Sequence, residues 1–326
     1  DVCSSDLARG ATSTRSGSST AHWTHVVDVT GHRAIVAERR TVLERRPIRV
    51  LMSQDRSCNL SCPSCRTRLI LARKAEQDRL NELAEEVIFP LLRDARQVKV
   101  TGSGDPLASA HFRYVLRRLA DGVAPGARVQ LQTNGVLLTP RAWQELGLDG
   151  LVEEVWVSID AATPTTYDIV RRGGDFARLL ANLAFLGRLR QEGRFAELRL
   201  DFVVQALNFR EMPAAVELAR ATGCNGVYFQ MIRNWGTFST EEFARHFIGS
   251  PDHPDYAEFL AVLRHPNLAL PWVNLSNMRR LHDRARRVEG HLHSAFGSSP
   301  PTSAASAPPS ATSGSSPASH AAAASP

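Results

Sequence analysis

The sequence predicts an α/β fold on a parallel sheet, and three observations carry that prediction. Short apolar runs alternate with longer amphipathic ones from about residue 47 to residue 235. Six of the short runs read as strands, each spaced from the next by a helical stretch, the order that gives parallel strands with right-handed crossovers. Six units are too few for a closed eight-stranded barrel, which leaves a partial barrel or an open doubly wound sheet. Either architecture puts its ligands at the carboxyl ends of the strands.

The first strand is the run Ile48 to Ser53, and the helix after it spans Lys74 to Leu92, where Leu80, Leu83, Ala84, Val87 and Ile88 share one face. Val98 to Thr101 is the second strand, followed by a helix from about Ala108 to Ala120. Val129 to Thr133 is the third, and its helix begins near Pro140, because proline suits a first turn whose N–H needs no partner. Then come the strand Val155 to Asp160, a helix from Phe176 to Arg190, the strand Leu198 to Val204, a helix from Arg210 to Ala221 and the strand Gly226 to Ile232. Beyond it the period is lost. Residues 233–293 offer one short helix opened by a capping box, Ser239 with Glu242, and another with Tyr256, Phe259, Leu260 and Leu263 on one face. These read as a small C-terminal helical cover.

With 326 residues, 43% hydrophobic and 22% charged, the chain can bury a sizeable core without disulfides. Its expected organisation is a Ser/Thr/Gly-rich N-terminus at 1–20, an extension at 21–46, the α/β core at 47–235, the cover at 236–293 and a tail at 294–326. The tail holds 11 serines, 10 alanines and 6 prolines with no charge, a composition expected to be disordered. The opening Asp-Val-Cys-Ser-Ser-Asp-Leu is similar to a translated sequencing adaptor, so residues 1–20 are also expected to be disordered and Cys3 is set aside. No run reaches the roughly 18 apolar residues of a membrane helix, and no secretory signal opens the chain, so a cytoplasmic location without membrane contact is expected. The formal net charge is +6, and 37 of the 39 basic residues are arginine, a bias that codon usage explains without a nucleic-acid partner.

The chemistry concentrates in Ser57-Cys58-Asn-Leu-Ser-Cys62-Pro-Ser-Cys65, just after the first strand. Three of the five cysteines within eight positions point to a metal or redox site in a reducing compartment. Close soft thiolates select iron–sulfur clusters, zinc or Cu(I). A cubane cluster takes one cysteine per iron, so Cys58, Cys62 and Cys65 leave one iron open to a ligand. A zinc site would need a fourth protein ligand, and no histidine lies between His32 and His111.

Further polar groups close the later strands. Thr101-Gly102-Ser103-Gly104-Asp105-Pro106 ends the second strand, its glycines allowing close backbone approach and its acid able to accept from an ammonium group. Gln132-Thr133-Asn134-Gly135 ends the third, and Ser158-Ile-Asp160 the fourth, where polar residues sit well for a ligand mouth. An Asn-Gly turn and a capping Asp are the plainer readings of those two segments.

These residues together resemble the radical S-adenosylmethionine (SAM) superfamily, whose signature is CxxxCxxC after the first strand of a six-unit β/α chain. The resemblance runs from about Pro47 to Trp235 and implies a partial (β/α)6 TIM-like barrel. It further implies one [4Fe–4S] cluster on Cys58, Cys62 and Cys65, SAM on the open iron, and reductive cleavage to a 5′-deoxyadenosyl radical that takes hydrogen from a substrate. The loop Gly102, Ser103, Gly104 and Asp105 looks like the family's Gly-Gly-Glu-Pro loop for the SAM amino group, with Ser103 and Asp105 replacing glycine and glutamate. By the same resemblance Asn134, Ser158, Asp160 and Gln205 are expected at the SAM site. On the loop Arg171-Arg172-Gly173 a guanidinium would clamp the SAM carboxylate through two hydrogen bonds, which places Arg172 at the site too, and a solvated charge pair is the plainer reading of these arginines. Arg233-Asn234-Trp235-Gly236 would stack on adenine, line the substrate pocket or anchor a loop in the core.

The run looks most like the SPASM/twitch-related branch, which implies a peptide substrate and an external electron donor such as flavodoxin or ferredoxin. No cysteine follows Cys224, which reads as a core filler, so one cluster and no auxiliary one is expected. The alternative is a non-catalytic zinc or iron–sulfur module contacting nucleic acid through Arg279, Arg280, Arg284, Arg286 and Arg287.

Overall fold

A computed structural model describes residues 29–43, 45–100 and 104–296. The expectations for residues 1–20, and for the tail beyond 296, lie outside them. Residues 288–326 separate from the rest as a second compact unit.

The N-terminal extension holds a helix that the sequence reading left out, α1 (Val29–Ala37). Then β1 (Arg49–Met52) is followed by α2 (Lys74–Leu83) and α3 (Phe89–Leu92). The single helix expected over Lys74–Leu92 is divided by a π-helical turn at Ala84–Ile88, where the Phe89 N–H reaches back to the Ala84 carbonyl. Pro90 follows and has no N–H to continue the ordinary ladder. Next come β2 (Gln97–Val100), α4 (Ala110–Ala120), β3 (Arg128–Thr133), α5 (Pro140–Glu145) and β4 (Val152–Ser158). The chain continues through α6 (Pro164–Val170), α7 (Phe176–Gln191), β5 (Glu197–Val204), α8 (Met212–Ala221) and β6 (Gly226–Met231). The expected cover supplies α9 (Thr240–His246) and α10 (Tyr256–Leu263), and then a seventh strand, β7 (Val273–Asn274), before α11 (Arg279–Phe296).

Local chemistry explains where the helices start. Ser109, Thr139, Thr163, Asp175 and Ser239 each accept the third helical amide of α4, α5, α6, α7 and α9, a contact worth about 1 kcal/mol. Thr163-Pro164 is the signal for α6, a helix absent from the sequence reading. The capping box of Ser239 and Glu242 forms as expected.

All seven strands join one parallel sheet in the order β1-β2-β3-β4-β5-β6-β7. A doubly wound sheet reverses its strand order at a switch point; this one never does, so the crossovers pile on one face and the sheet is an open, partial barrel. β7 pairs only Val273 and Asn274 with Val227 and Tyr228, too short a run to show an alternation in sequence.

The two faces of the sheet differ in chemistry. Val98, Leu131, Val157, Leu200 and Phe229 lie fully buried within the continuous core. The intervening residues, Lys99, Gln130, Gln132, Trp156, Arg199 and Asp201, point the other way, since successive strand side chains alternate. On that polar face Lys99 Nζ lies 4.0 Å from the Trp156 ring, and the Arg199 guanidinium lies 3.4 Å from the same ring. Contact between β2 and β4, with β3 between them, is what inward curvature of the sheet allows. No described helix is long and apolar enough to cross a membrane.

Candidate metal centre and cofactor site

The loop between β1 and α2 carries the three cysteines to the carboxyl ends of the strands. Cys58 forms a short antiparallel bridge with Ile70, its N–H donating to the Ile70 carbonyl at 2.9 Å. The Cys62 carbonyl accepts from the N–H groups of Cys65 and Arg66, both at 3.0 Å, which turns the chain so that Cys65 follows on the same side. Cys58 and Cys62 are buried and Cys65 is exposed. All three line one cavity with Leu60, Arg66, Gly104, Asp105, Gln132, Thr133, Asn134, Ser158 and Arg171.

Each sulfur has its own donor. Cys58 Sγ receives the Leu60 N–H at 3.4 Å and Asn134 Nδ2 at 3.8 Å. Cys62 Sγ receives Arg171 Nη1 at 3.9 Å, and Cys65 Sγ receives Arg66 Nη2 at 3.5 Å. Burial pushes the Cys58 thiol up to about 11, with Asp105 adding to it, and burial likewise raises Cys62. The bare Cys58 and Cys62 thiols therefore hold their protons at neutral pH, and a bound metal would have to displace them.

The second loop is locked against the first. A side-chain carbon on Gly104 would lie 2.4 Å from the Ser57 carbonyl oxygen and 2.8 Å from that of Asp55, so only glycine lets the two backbones meet. Next to it, the Asp105 N–H donates to the Ser57 carbonyl at 2.7 Å. The Asp105 carboxylate is buried, one oxygen accepting from the Leu107 and Ala108 N–H groups, the other from Thr133 Oγ1 and the Asn134 N–H at 2.7 Å each. It ties β2 to the end of β3 besides lining the cavity. Asn134 also holds Asn59 Oδ1 at 2.9 Å, and Gly135 takes a positive φ of 78°, as the Asn-Gly turn requires.

At the end of β4, Ser158 lines the cavity while Asp160 is buried with φ 56°, a left-handed conformation unusual for a residue with a side chain. Its carboxylate accepts the Val203 N–H at 2.7 Å and pairs with Arg171 Nη2 at 2.8 Å. Burial alone would lower the Arg171 pKa, but Asp160 and Cys62 more than offset it and hold the guanidinium charged. Arg171 Nε is buried with no hydrogen-bond partner.

Several expected site residues sit elsewhere. Arg172 is on the outside, donating to Ser61 Oγ at 3.2 Å and to the Thr67 carbonyl at 3.4 Å, while Arg171 is the guanidinium facing the cysteines. Consecutive side chains leaving α6 diverge, and only the folded backbone decides which of the two turns inward. Gln205 is buried and its N–H donates to Asn208 Oδ1 at 2.8 Å; neither residue lines the cavity. Asn208 instead braces the Asp160 and Val203 carbonyls at 2.8 and 2.9 Å. Trp235 is 74% exposed, neither in the cavity nor in the core. Gly102 and Ser103 lie outside the described residues. Cys224 packs in the core. Arg66 escaped the sequence reading, although its place directly after Cys65 was a signal.

The donor set fits a cluster. Three sulfurs face one cavity, each with a hydrogen-bond donor of the kind that tunes iron–sulfur centres, and the unpartnered Arg171 Nε awaits an acceptor. Among the described residues no three His, Cys, Asp or Glu side chains converge as a single ion requires. His111 is no zinc ligand either: its ring nitrogens lie 2.9 Å from Gln54 Nε2 and 2.8 Å from Asn81 Oδ1.

Comparison with known proteins agrees with this geometry. Residues 55–195 match the Radical SAM superfamily. The chain is 31% identical over 170 residues to the AdoMet-dependent heme synthase of Methanosarcina barkeri, covering 51% of this chain and 45% of that protein. It is 29% identical over 174 residues to a GTP 3′,8-cyclase of Caulobacter vibrioides, covering 52% and 47%. It is also 29% identical over 184 residues to the mycofactocin maturase MftC of Mycobacterium ulcerans, covering 54% and 45%. The chain thus spans a little under half the length of these relatives. The cysteine loop and strands β2 to β4 lie inside the matched residues, so this part of the chain, residues 55–195, is similar to the radical SAM superfamily, enzymes that bind a [4Fe–4S] cluster and S-adenosylmethionine.

Proposed function

We propose that Cys58, Cys62 and Cys65 hold one [4Fe–4S] cluster and that SAM binds beside it in the cavity closed by Gly104, Asp105, Asn134 and Ser158. The observation that carries this reading is that the three cysteines line one cavity at the carboxyl ends of the strands. When bound, the cluster supplies the electron that splits SAM into methionine and a 5′-deoxyadenosyl radical, which takes a hydrogen atom from the substrate.

The chain's own residues place and shield these groups. Gly104 lets the second loop close on the cysteine loop, and its neighbour Asp105 fixes Asn134 near Cys58. Arg171, anchored by Asp160, presents its remaining Nε–H to an anionic group, the SAM carboxylate being the natural acceptor. Ser158 offers a hydroxyl at the mouth of β4. Asp105, with its four donors inside the chain, serves the SAM amino group through the loop backbone it shapes.

Anaerobic reconstitution with iron and sulfide tests the reading. We expect absorption near the charge-transfer region of a cubane cluster, about four irons per chain, and 5′-deoxyadenosine after reduction with SAM. Absence of both signals defeats it, and Cys62→Ala should abolish both. The substrate class we propose is a peptide, supported by the maturase relative; a purine nucleotide is the reading that the cyclase relative favours. Transfer of deuterium into 5′-deoxyadenosine from a labelled candidate peptide, and not from labelled GTP, would separate them.

A further inference from the structure

We propose that Tyr167 is a positioning residue whose hydroxyl raises the reduction potential of the cluster at its Cys62 corner. This rests on the functional reading above, in which Cys58, Cys62 and Cys65 hold that cluster. It concerns a residue that does not line the cavity SAM would fill.

Tyr167 is fully buried, yet its hydroxyl oxygen has no hydrogen-bond partner among the described residues. Buried polar groups in proteins are nearly all paired, so an orphaned hydroxyl in a core asks for a reason. Its place supplies one. Tyr167 and Arg171 stand four residues apart, and the Arg171 N–H donates to the Tyr167 carbonyl at 2.7 Å, so the two side chains leave the same side of the helix end. Arg171 is the residue whose Nη1 lies 3.9 Å from Cys62 Sγ.

The ring is fixed where it stands. Phe176 lies 5.0 Å from it, centroid to centroid. At the hydroxyl end, a side-chain carbon on Gly174 would meet the Tyr167 oxygen at 2.7 Å, so the loop after α6 closes over that oxygen only because residue 174 is glycine. The cysteine loop leans on this same loop. The Ser61 N–H, one residue before Cys62, donates to the Arg172 carbonyl at 3.0 Å, and a side-chain carbon on Gly173 would touch the Asn59 carbonyl oxygen at 4.0 Å. The start of α6 is held as well: the Glu211 carboxylate accepts the Ala162 and Thr163 N–H groups at 2.6 and 3.1 Å and Thr163 Oγ1 at 2.8 Å. With both ends of α6 tied, the hydroxyl stays beside the Cys62 segment and cannot swing out to solvent.

The chemistry of the spot decides what the hydroxyl can do. Burial keeps the proton on the phenol, Arg171 opposes this, and the charges of Cys62 and Asp160 add to it. A neutral O–H is a donor and a dipole, and the anionic groups around it are those two. The Asp160 carboxylate is already occupied by Val203 and Arg171, whereas Arg171 meets Cys62 Sγ only at the long distance of 3.9 Å. A cluster ligated by Cys62 gains negative charge when it is reduced. Donors and dipoles beside its sulfurs stabilise that reduced state and raise the potential, and a buried site of low dielectric strengthens the effect. The electron goes to the cluster, Tyr167 keeps its proton, and no bond forms or breaks at the ring.

The test is a potentiometric titration of the reconstituted chain without SAM, the reduced cluster being read by electron paramagnetic resonance. Tyr167→Phe removes the hydroxyl and keeps the ring. It should lower the reduced-to-oxidised ratio at a fixed potential by about threefold or more, a midpoint more negative by about 28 mV at about 59 mV per tenfold change for one electron, with iron per chain unchanged. Tyr114→Phe on α4, which removes the hydroxyl that meets Glu85, should leave the midpoint in place. A ring-fluorinated tyrosine introduced at position 167 keeps the ring and makes its hydroxyl a stronger donor, so it should move the midpoint to less negative values; this arm decides the matter if Tyr167→Phe takes up no cluster. A Tyr167→Phe midpoint that falls by less than about 28 mV, or a fluorotyrosine midpoint that does not rise, overturns the proposal. If the unaltered chain takes up no cluster at all, the functional reading falls, and this proposal with it.

Discussion

Replacing Gly104 by alanine should separate the two loops that build the site. The added carbon would sit 2.4 Å from the Ser57 carbonyl oxygen, against the 3.4 Å at which ordinary contact begins, so the backbones must part by about 3.4 − 2.4 = 1.0 Å. Both sides of this clash are main chain, so no rotamer change relieves it. The neighbouring Asp105 N–H to Ser57 carbonyl bond, 2.7 Å in the native chain, would stretch past hydrogen-bonding range. Overpacking costs about 1–3 kcal/mol and the lost bond about 0.5–1.5 kcal/mol, a total of about 1.5–4.5 kcal/mol. For a domain of this size that lowers Tm by roughly 3–18 °C. Thermal unfolding followed by circular dichroism measures the first effect, and iron per chain after anaerobic reconstitution measures the second, which should fall well below the native value. Gly126→Ala is the control, since its new carbon would meet only the Ala95 carbonyl at 3.8 Å. A Gly104→Ala chain that melts within a degree or two of native and loads the same iron would refute the claim that this apposition builds the site.

Three further outcomes follow from the same geometry. Arg171→Ala leaves the buried Asp160 carboxylate without its cation and should cost about 3–5 kcal/mol, whereas Arg172→Ala, on the exposed side, should cost under about 1 kcal/mol; urea titrations of the two variants compare them. Cys224→Ala should keep native iron content and lose only about 1 kcal/mol of packing, while each of Cys58→Ala, Cys62→Ala and Cys65→Ala should lose the cluster absorption. Glu154, buried beside Gln130 Nε2, has its carboxyl raised to about 7 chiefly by burial. The folded chain therefore holds that proton more tightly than the unfolded chain, so the contribution is present below pH 4.5 and is lost as pH rises toward 7. Glu154→Gln should flatten the fall in stability between those pH values by about 1–3 kcal/mol, read as the difference between the two chains' denaturation midpoints; a parallel fall in both would count against it.

Much of the site was legible because its signals are local. The four-and-three cysteine spacing needs only the loop that carries it, and Gly104 stands out within a glycine-rich strand end. Helix starts were similarly readable where a cap is a contact between residues three apart, as at Ser239 and Glu242. The rest depended on contacts between distant segments. Arg171 and Arg172 are equivalent in sequence, and only the turn at the end of α6 puts the first against Cys62. Gln205 and Asn208 carry the right chemistry at the right strand end, yet Asn208 is occupied in bracing the left-handed backbone at Asp160. Asp105 resembles a ligand residue in sequence, while in space its carboxylate is saturated by donors from two loops.

The sequence by itself determined the alternation of strand and helix, the parallel sense of the sheet and the grouping of three cysteines in one loop, because hydrophobic period and cysteine spacing are properties of neighbouring residues. Hydrophobic period left a doubly wound sheet and a partial barrel both open, the family resemblance implied the barrel, and the tertiary structure bears that out in its strand order, adds β7 at its edge, and selects which polar side chains reach the cavity. Those outcomes turn on strand order, curvature and the hydrogen bonds that consume a side chain's donors and acceptors. Each is set by residues far apart in the chain and visible only when they meet.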